Sequence, residues 1–401
     1  MVRADLRAMR GAAWLVVALI ACAVAVGVAV GAQERALRQA SARAADDFDL
    51  LIGAPGSQTQ LVLTAVYLQP EALPLISGDI LNALAADPRV AAAAPLAYGD
   101  IVDGHPVIGT TRAFAGRWGR AMPSEGRLFD AEGEAVIGAG VKLSMGQQIT
   151  PAHMTRGAVG GEDEAAHRHE GVAYAVVGRL PRNGSPWDNA ILVPVESVWE
   201  THGLGNGHAA DPASLGPPFD ARSLPGVPAI VVRPRRVADA YALRGQYRQG
   251  GTMALFPAEV LVSLYRSVGD VRDVMVWMAA LNNLLVFAAV ILLVATLTSL
   301  RRRRYAVLRA LGAPRSFILL VTWLGASSLI AAGCAAGLAL GWAGGLLVAV
   351  LVERATGLAA SAAPGWPELR LAATLLLAGG ALAVVPALAA YKGSVSEHLR
   401  G

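Results

Sequence analysis

The residues best suited to chemistry lie in one short stretch. Glu162-Asp163-Glu164 is followed by His167-Arg168-His169 and Glu170, with His153 nearby. Two imidazoles two residues apart beside carboxylates could hold zinc or another divalent ion, since borderline metals accept nitrogen and oxygen donors together. His167 and His169 are the candidate ligands. The competing reading is a solvated loop, given Gly157, Gly160, Gly161 and the dense charge. A second cluster joins Asp46-Asp47-Phe48-Asp49 to Gly53-Ala54-Pro55-Gly56-Ser57. It lacks the lysine and hydroxyl ending of a phosphate-cradling loop and reads as a tight turn. Nucleophile-elbow, zinc-protease and nucleotide-loop spacings are all missing from the sequence. No catalytic residue and no cofactor in this chain is therefore expected.

The elements around these clusters belong to a membrane protein. Of 401 residues, 54% are apolar and only 16% charged, against about 25% charged in soluble domains. Such a chain buries too much to be disordered, and two cysteines, Cys22 and Cys334, make no disulfide scaffold. Four runs hold no charged residue: 11–33, 274–300, 316–352 and 371–391. Each exceeds the roughly 18–20 residues a helix needs to cross the hydrocarbon core, so four spans are expected. The first run is longer than a signal-peptide core and stays apolar past Cys22, so a retained anchor is expected. Gly333, Gly337 and Gly341, four residues apart in the third run, form a stripe on which another helix can pack closely.

Charge orients the spans. The flanks 1–10, 301–315 and 392–401 carry eleven basic and two acidic residues, whereas the loop 353–370 is neutral. By the positive-inside bias both termini and the arginine segment 301–315 face the cytoplasm. Residues 34–273 then lie outside with a charge of −5 in a chain of net +4. The basic balance thus reports topology, and no nucleic-acid partner is expected.

The outer segment begins and ends as helix. Residues 34–45 continue the first span without a breaker. Phe256-Pro257-Ala258-Glu259 starts a second helix that would run into the second span for ~66 Å, a length suited to a stalk. Between the stalks, Val107–Thr111, Ala135–Gly138, Tyr174–Gly178, Ala190–Val193 and Ala229–Val232 read as strands. Ser77–Ala86, Val195–His202 and Arg236–Gln249 read as helices, and Gly203–Pro228 as a loop. The expected architecture is four transmembrane α-helices with helical stalks and a large α+β extracytoplasmic domain between the first two spans.

Residues 301–317, Arg-Arg-Arg-Arg-Tyr-Ala-Val-Leu-Arg-Ala-Leu-Gly-Ala-Pro-Arg-Ser-Phe, resemble the cytoplasmic segment of FtsX-like/MacB-like permeases of ATP-binding-cassette (ABC) transporters. The glycine-rich third span, Val384-Val385-Pro386-Ala387 and the short tail are similar to that family too. So is the layout of one span, a large outer domain and three clustered spans. The resemblance implies a permease of mechanotransmission type in a bacterial inner membrane. A separate ABC ATPase would carry ATP and Mg²⁺, and a second copy or related permease would complete the pair. A periplasmic adaptor or lipoprotein is a further implied partner, and an amphiphile, peptide or lipid-linked molecule the implied substrate. Alternatives are a lipoprotein-releasing permease, a regulator of cell-wall hydrolases and a metal-linked sensor. Arg309, Gly312, Pro314 and Arg315 form the expected ATPase-coupling corner, Gly312 ending one helix and Pro314 starting the next.

Overall fold

The computed structural model describes residues 10–69, 71–153, 169, 171–267, 311–356 and 365–384, with isolated positions between 277 and 308. The chain divides into two units. One comprises 1–38, 268–351 and 360–401, and the other 39–267 with 352–359.

In the first unit, helix α1 runs unbroken over Arg10–Ala44 and so includes the continuation expected beyond residue 33. Its Val16, Ile20, Val24 and Val28, spaced by one helical turn, are buried and cluster with Ala326, Leu329, Ile330 and Cys334. Those partners belong to a single helix, Arg315–Thr356, which contains the whole uncharged run 316–352. A further helix spans Trp366–Leu382, and its Gly380 carbonyl accepts a 2.8 Å hydrogen bond from Trp323 Nε1–H. Arg35 and Glu368 form an ion pair at 2.5 Å. Among the described residues, two helices are long and apolar enough to cross a membrane, Ala13–Ala44 and Ser316–Arg354. Apart from isolated positions, the expected second span, 274–300, and residues 301–310 lie outside the described residues.

The second unit is α+β. Its strands among the described residues are β1 Leu50–Gly53, β2 Val90–Val102, β3 His105–Thr110, β4 Glu125–Gly126, β5 Glu134–Ile137, β6 Gln148–Ile149, β7 Ala152–His153, β8 Tyr174–Arg179, β9 Ile191–Pro194, β10 Ala229–Pro234 and β11 Met253–Leu255. They pair in the order β11-β1-β10-β2-β3-β9-β5-β8-β4, with β6 beside β8 and β7 beside β2. Most pairs are antiparallel; β3–β9 and β5–β8 are parallel. Helices α2 Gln58–Ala65, α3 Asp79–Ala86, α4 Arg112–Ala115, α5 Val195–Thr201, α6 Val237–Tyr247 and α7 Pro257–Ser267 pack around them; the long helices of the first unit are α8 Arg315–Thr356 and α9 Trp366–Leu382.

Two buried apolar layers hold this unit. One gathers Leu50, Ile52, Leu84, Val107, Tyr174, Ile191, Val198 and Trp199. The other gathers Phe48, Leu51, Phe114, Val136, Trp187, Leu192 and Val231. Leu50, Leu51 and Ile52 alternate between the layers, as successive strand side chains must. Gly109 lets α5 lie close on β3: a Cβ there would come within 2.6 Å of Val198 Cγ2 and 3.2 Å of Val195 Cα. That close seating fixes the C-terminal end of α5 above the long strand β2.

Candidate functional site

At that end the structure assembles a cluster of three histidines and one aspartate. Asp100 lies on β2 and pairs in register with His153 of β7. His202 caps the C-terminus of α5, its backbone N–H donating to Val198 and Trp199 carbonyls. His169 is anchored by its N–H donating to the Pro151 carbonyl at 3.1 Å. Asp100 Oδ1 stands 3.2 Å from His169 Nε2, 3.4 Å from His153 Nδ1 and 3.7 Å from His202 Nε2. One donor atom from each of the four lies within 4.8 Å of every other. The imidazole rings meet edge to face or tilted, with centroids 4.3–5.4 Å apart.

Asp100 is 1% exposed, whereas the side chain of His153 is 45% exposed, so the cluster has a buried floor and an open rim. Asp100 Oδ2 is buried without a hydrogen-bond partner. His202 Nδ1 lies 2.8 Å from the Val198 carbonyl, which accepts only from a protonated nitrogen. Its Nε2 lone pair is therefore free to face Asp100 when the ring is neutral. Such a carbonyl partner is what orients metal-bound histidines in general.

Of the residues singled out from sequence, His169 and the nearby His153 are thus brought together. His167, Glu162, Asp163, Glu164 and Glu170 lie outside the described residues. Among the described residues the carboxylate at the cluster is Asp100 and the third imidazole His202, neither of which stands out in the sequence. The Asp46–Asp49 and Gly53–Ser57 segments have structural roles. Asp47 meets Arg120 at 2.7 Å and Arg117 at 3.6 Å, and Phe48 enters the core. Burial pushes the Asp47 carboxyl above its ordinary pKa against the pull of both arginines. Residues 53–57 connect β1 to α2, and Ser57 caps that helix by accepting from the Gln60 N–H at 3.2 Å.

In the first unit, the glycine stripe of α8 lies against α1. A Cβ on Gly333 would fall 2.6 Å from Ile20 Cβ, and on Gly341 2.8 Å from the Ala25 carbonyl oxygen. A Cβ on Gly337 would fall 2.6 Å from Val24 Cβ and 2.7 Å from the Ala21 carbonyl oxygen. Gly312 has φ of +97° in the turn after the helical residues Val307 and Leu308. Pro314 immediately precedes α8, its carbonyl accepting from Phe317 N–H at 3.1 Å. Arg309 and the side chain of Arg315 lie outside the described residues.

Two long apolar helices are thus in close glycine contact, with a large mixed domain inserted between them in the sequence, the layout of a membrane protein with an inserted domain. The MacB-like periplasmic core domain family matches residues 13–249, and the FtsX-like permease C-terminal family matches residues 276–395. The first match alone covers more than half the chain, which belongs to the FtsX-like/MacB-like permeases of ABC transporters. No curated protein matches it. Among solved structures, the periplasmic region of MacB from Actinobacillus actinomycetemcomitans is similar at 9% identity and a TM-score of 0.34. That match covers 55% of this chain and 94% of that one. The extracellular domain of the noncanonic ABC-type transporter YknZ from Gram-positive bacteria is similar at 12% identity and a TM-score of 0.30. It covers 51% of this chain and 98% of that one. Permeases of this family work with an ABC ATPase partner and are generally not catalytic themselves.

Proposed function

We propose that this permease transmits the closure of a cytoplasmic ATPase to its α+β domain, and so moves an amphiphilic, peptide or lipid-linked substrate at the outer face of a bacterial inner membrane. The observation that carries the reading is that the two family matches, 13–249 and 276–395, leave the basic segment 301–315 inside the permease part. That segment pairs a left-handed Gly312 with Pro314 at the start of a 42-residue helix. A rigid corner of this kind passes a push at its arginines into α8, whose glycine stripe carries it to α1. The reading places both termini and 301–315 in the cytoplasm and residues 34–273 outside, by the asymmetry of basic residues. ATP and Mg²⁺ belong to the separate ATPase, whose paired nucleotide sites call for two permease surfaces, a second copy or a related chain.

The test is reconstitution with the cognate ATPase. Arg309→Glu reverses one cytoplasmic charge and should abolish permease-stimulated ATP hydrolysis and capture of the ATPase, with normal membrane insertion. Wild-type stimulation and capture by that variant would refute the coupling role.

A further inference from the structure

We propose that Asp100, His153, His169 and His202 form a binding site for one divalent transition-metal ion, with Zn²⁺ the best match. A carboxylate that is 1% exposed needs a compensating positive charge, because an unpaired buried anion is costly. Among the described residues its ion-pair partners are these three histidines alone. Neutral imidazoles supply no such charge, whereas a divalent ion held between them and the carboxylate does. Three nitrogens and one oxygen are also a donor set that zinc accepts in tetrahedral geometry.

The distances from the Asp100 carboxylate suit that geometry. Metal–ligand bonds of about 2.0–2.1 Å put ligand atoms roughly 3.3 Å apart in a tetrahedron. The observed separations from Asp100 Oδ1 are 3.2, 3.4 and 3.7 Å. His202 has its remote nitrogen on a carbonyl already, which holds the ring in a metal-binding orientation. The four ligands come from β2, β7, residue 169 and the end of α5, so a bound ion ties two strands and a helix terminus at one point.

The site is tested on the full-length chain in detergent, purified without a histidine tag and stripped with a chelator. Equilibrium dialysis against Zn²⁺ alone should give one ion per chain, and Co²⁺ should give the intense visible spectrum of a tetrahedral site. His169→Gln and His202→Gln should each weaken zinc binding at least tenfold. Asp100→Asn, nearly the same shape, should do the same. His105→Gln, in the same domain but bonded to the Asn189 carbonyl, should leave binding unchanged. Thermal unfolding in chelator shows whether each variant is folded before its affinity is compared. The proposal is overturned if stripped wild type takes up no zinc in a saturable manner, which would leave Asp100 balanced by protonated histidine. Equal uptake by wild type and both histidine variants would overturn it as well.

Discussion

Gly337→Ala should drive α1 and α8 apart. The added Cβ would stand 2.6 Å from Val24 Cβ, 2.9 Å from Val24 Cγ1 and 2.7 Å from the Ala21 carbonyl oxygen. Carbon atoms sit comfortably at about 3.5–4.0 Å, so the shortfall is roughly 1 Å. Rotating Val24 about χ1 moves its methyls but leaves its Cβ in place, and the Ala21 oxygen is backbone. Relief must therefore come from moving a helix. A radial gap of about 0.5–1 Å forfeits a quarter to a half of each contact along the seam, which includes buried Val16, Ile20, Val24 and Val28. Overpacking of this kind costs about 1–3 kcal/mol. Gly344 of the same helix has nothing within 4 Å of the corresponding Cβ, so Gly344→Ala tests helix propensity without the clash. Thermal unfolding of the full chain in detergent should show Gly337→Ala destabilised and Gly344→Ala equal to or above wild type. Equal behaviour of the two variants would refute the packing argument.

Gly312 has φ of +97°, so Gly312→Val should strain the turn by about 1–2 kcal/mol and displace the segment before α8; a wild-type melting temperature together with full ATPase stimulation would contradict this. Glu132 is pushed from 4.5 up to about 7, first by burial and then by the facing carboxylates Glu200 and Glu196. The folded state therefore binds this proton more tightly than the unfolded chain, and stability falls as pH rises from about 4.5 to 7, then levels off. In chelator-treated buffer, Glu132→Gln should flatten that decline, and melting curves of equal pH slope for both proteins would count against it.

Much of the fold follows from short-range pattern. The five β-branched runs read as strands all lie in the sheet as β3, β5, β8, β9 and β10, because apolar segments bounded by glycine and proline have few other places to go. The strand β2 escapes that logic. Its sequence, Val-Ala-Ala-Ala-Ala-Pro-Leu-Ala-Tyr-Gly-Asp-Ile-Val, is rich in helix-favouring alanine and is interrupted by Pro95 and Gly99. It is extended because β10 and β3 flank it, and small side chains fit there: Ala94 is fully buried, and the Pro95 carbonyl accepts from Thr110 Oγ1 at 2.9 Å. Tertiary pairing overrides local preference at this strand. β1 and β11, four and three residues long, are too short to show any period.

The candidate metal centre was legible only in the half that is local in sequence. His167 and His169, with His153 nearby, suggest zinc because they fall in one polar, histidine-rich stretch; His169 and His153 are at the cluster, and His167 lies outside the described residues. Asp100 is hidden from a local reading because it is 69 residues before His169 and sits in the strand that alanine disguises. His202 lay in plain view at the end of a helical pattern, where a histidine ordinarily needs no explanation beyond the helix dipole. What joins them is the pairing of β7 with β2 and the close approach of α5 that Gly109 permits. A glycine in an otherwise apolar strand marks a site where another element comes near. Gly109, between Ile108 and Thr110, was the one local sign that the helix ending at His202 would be held beside the strand pair carrying Asp100. Gly109→Ala should then lift α5 from β3 and lower zinc affinity without altering any ligand. Unchanged zinc binding in a folded Gly109→Ala variant would separate the position of α5 from the site.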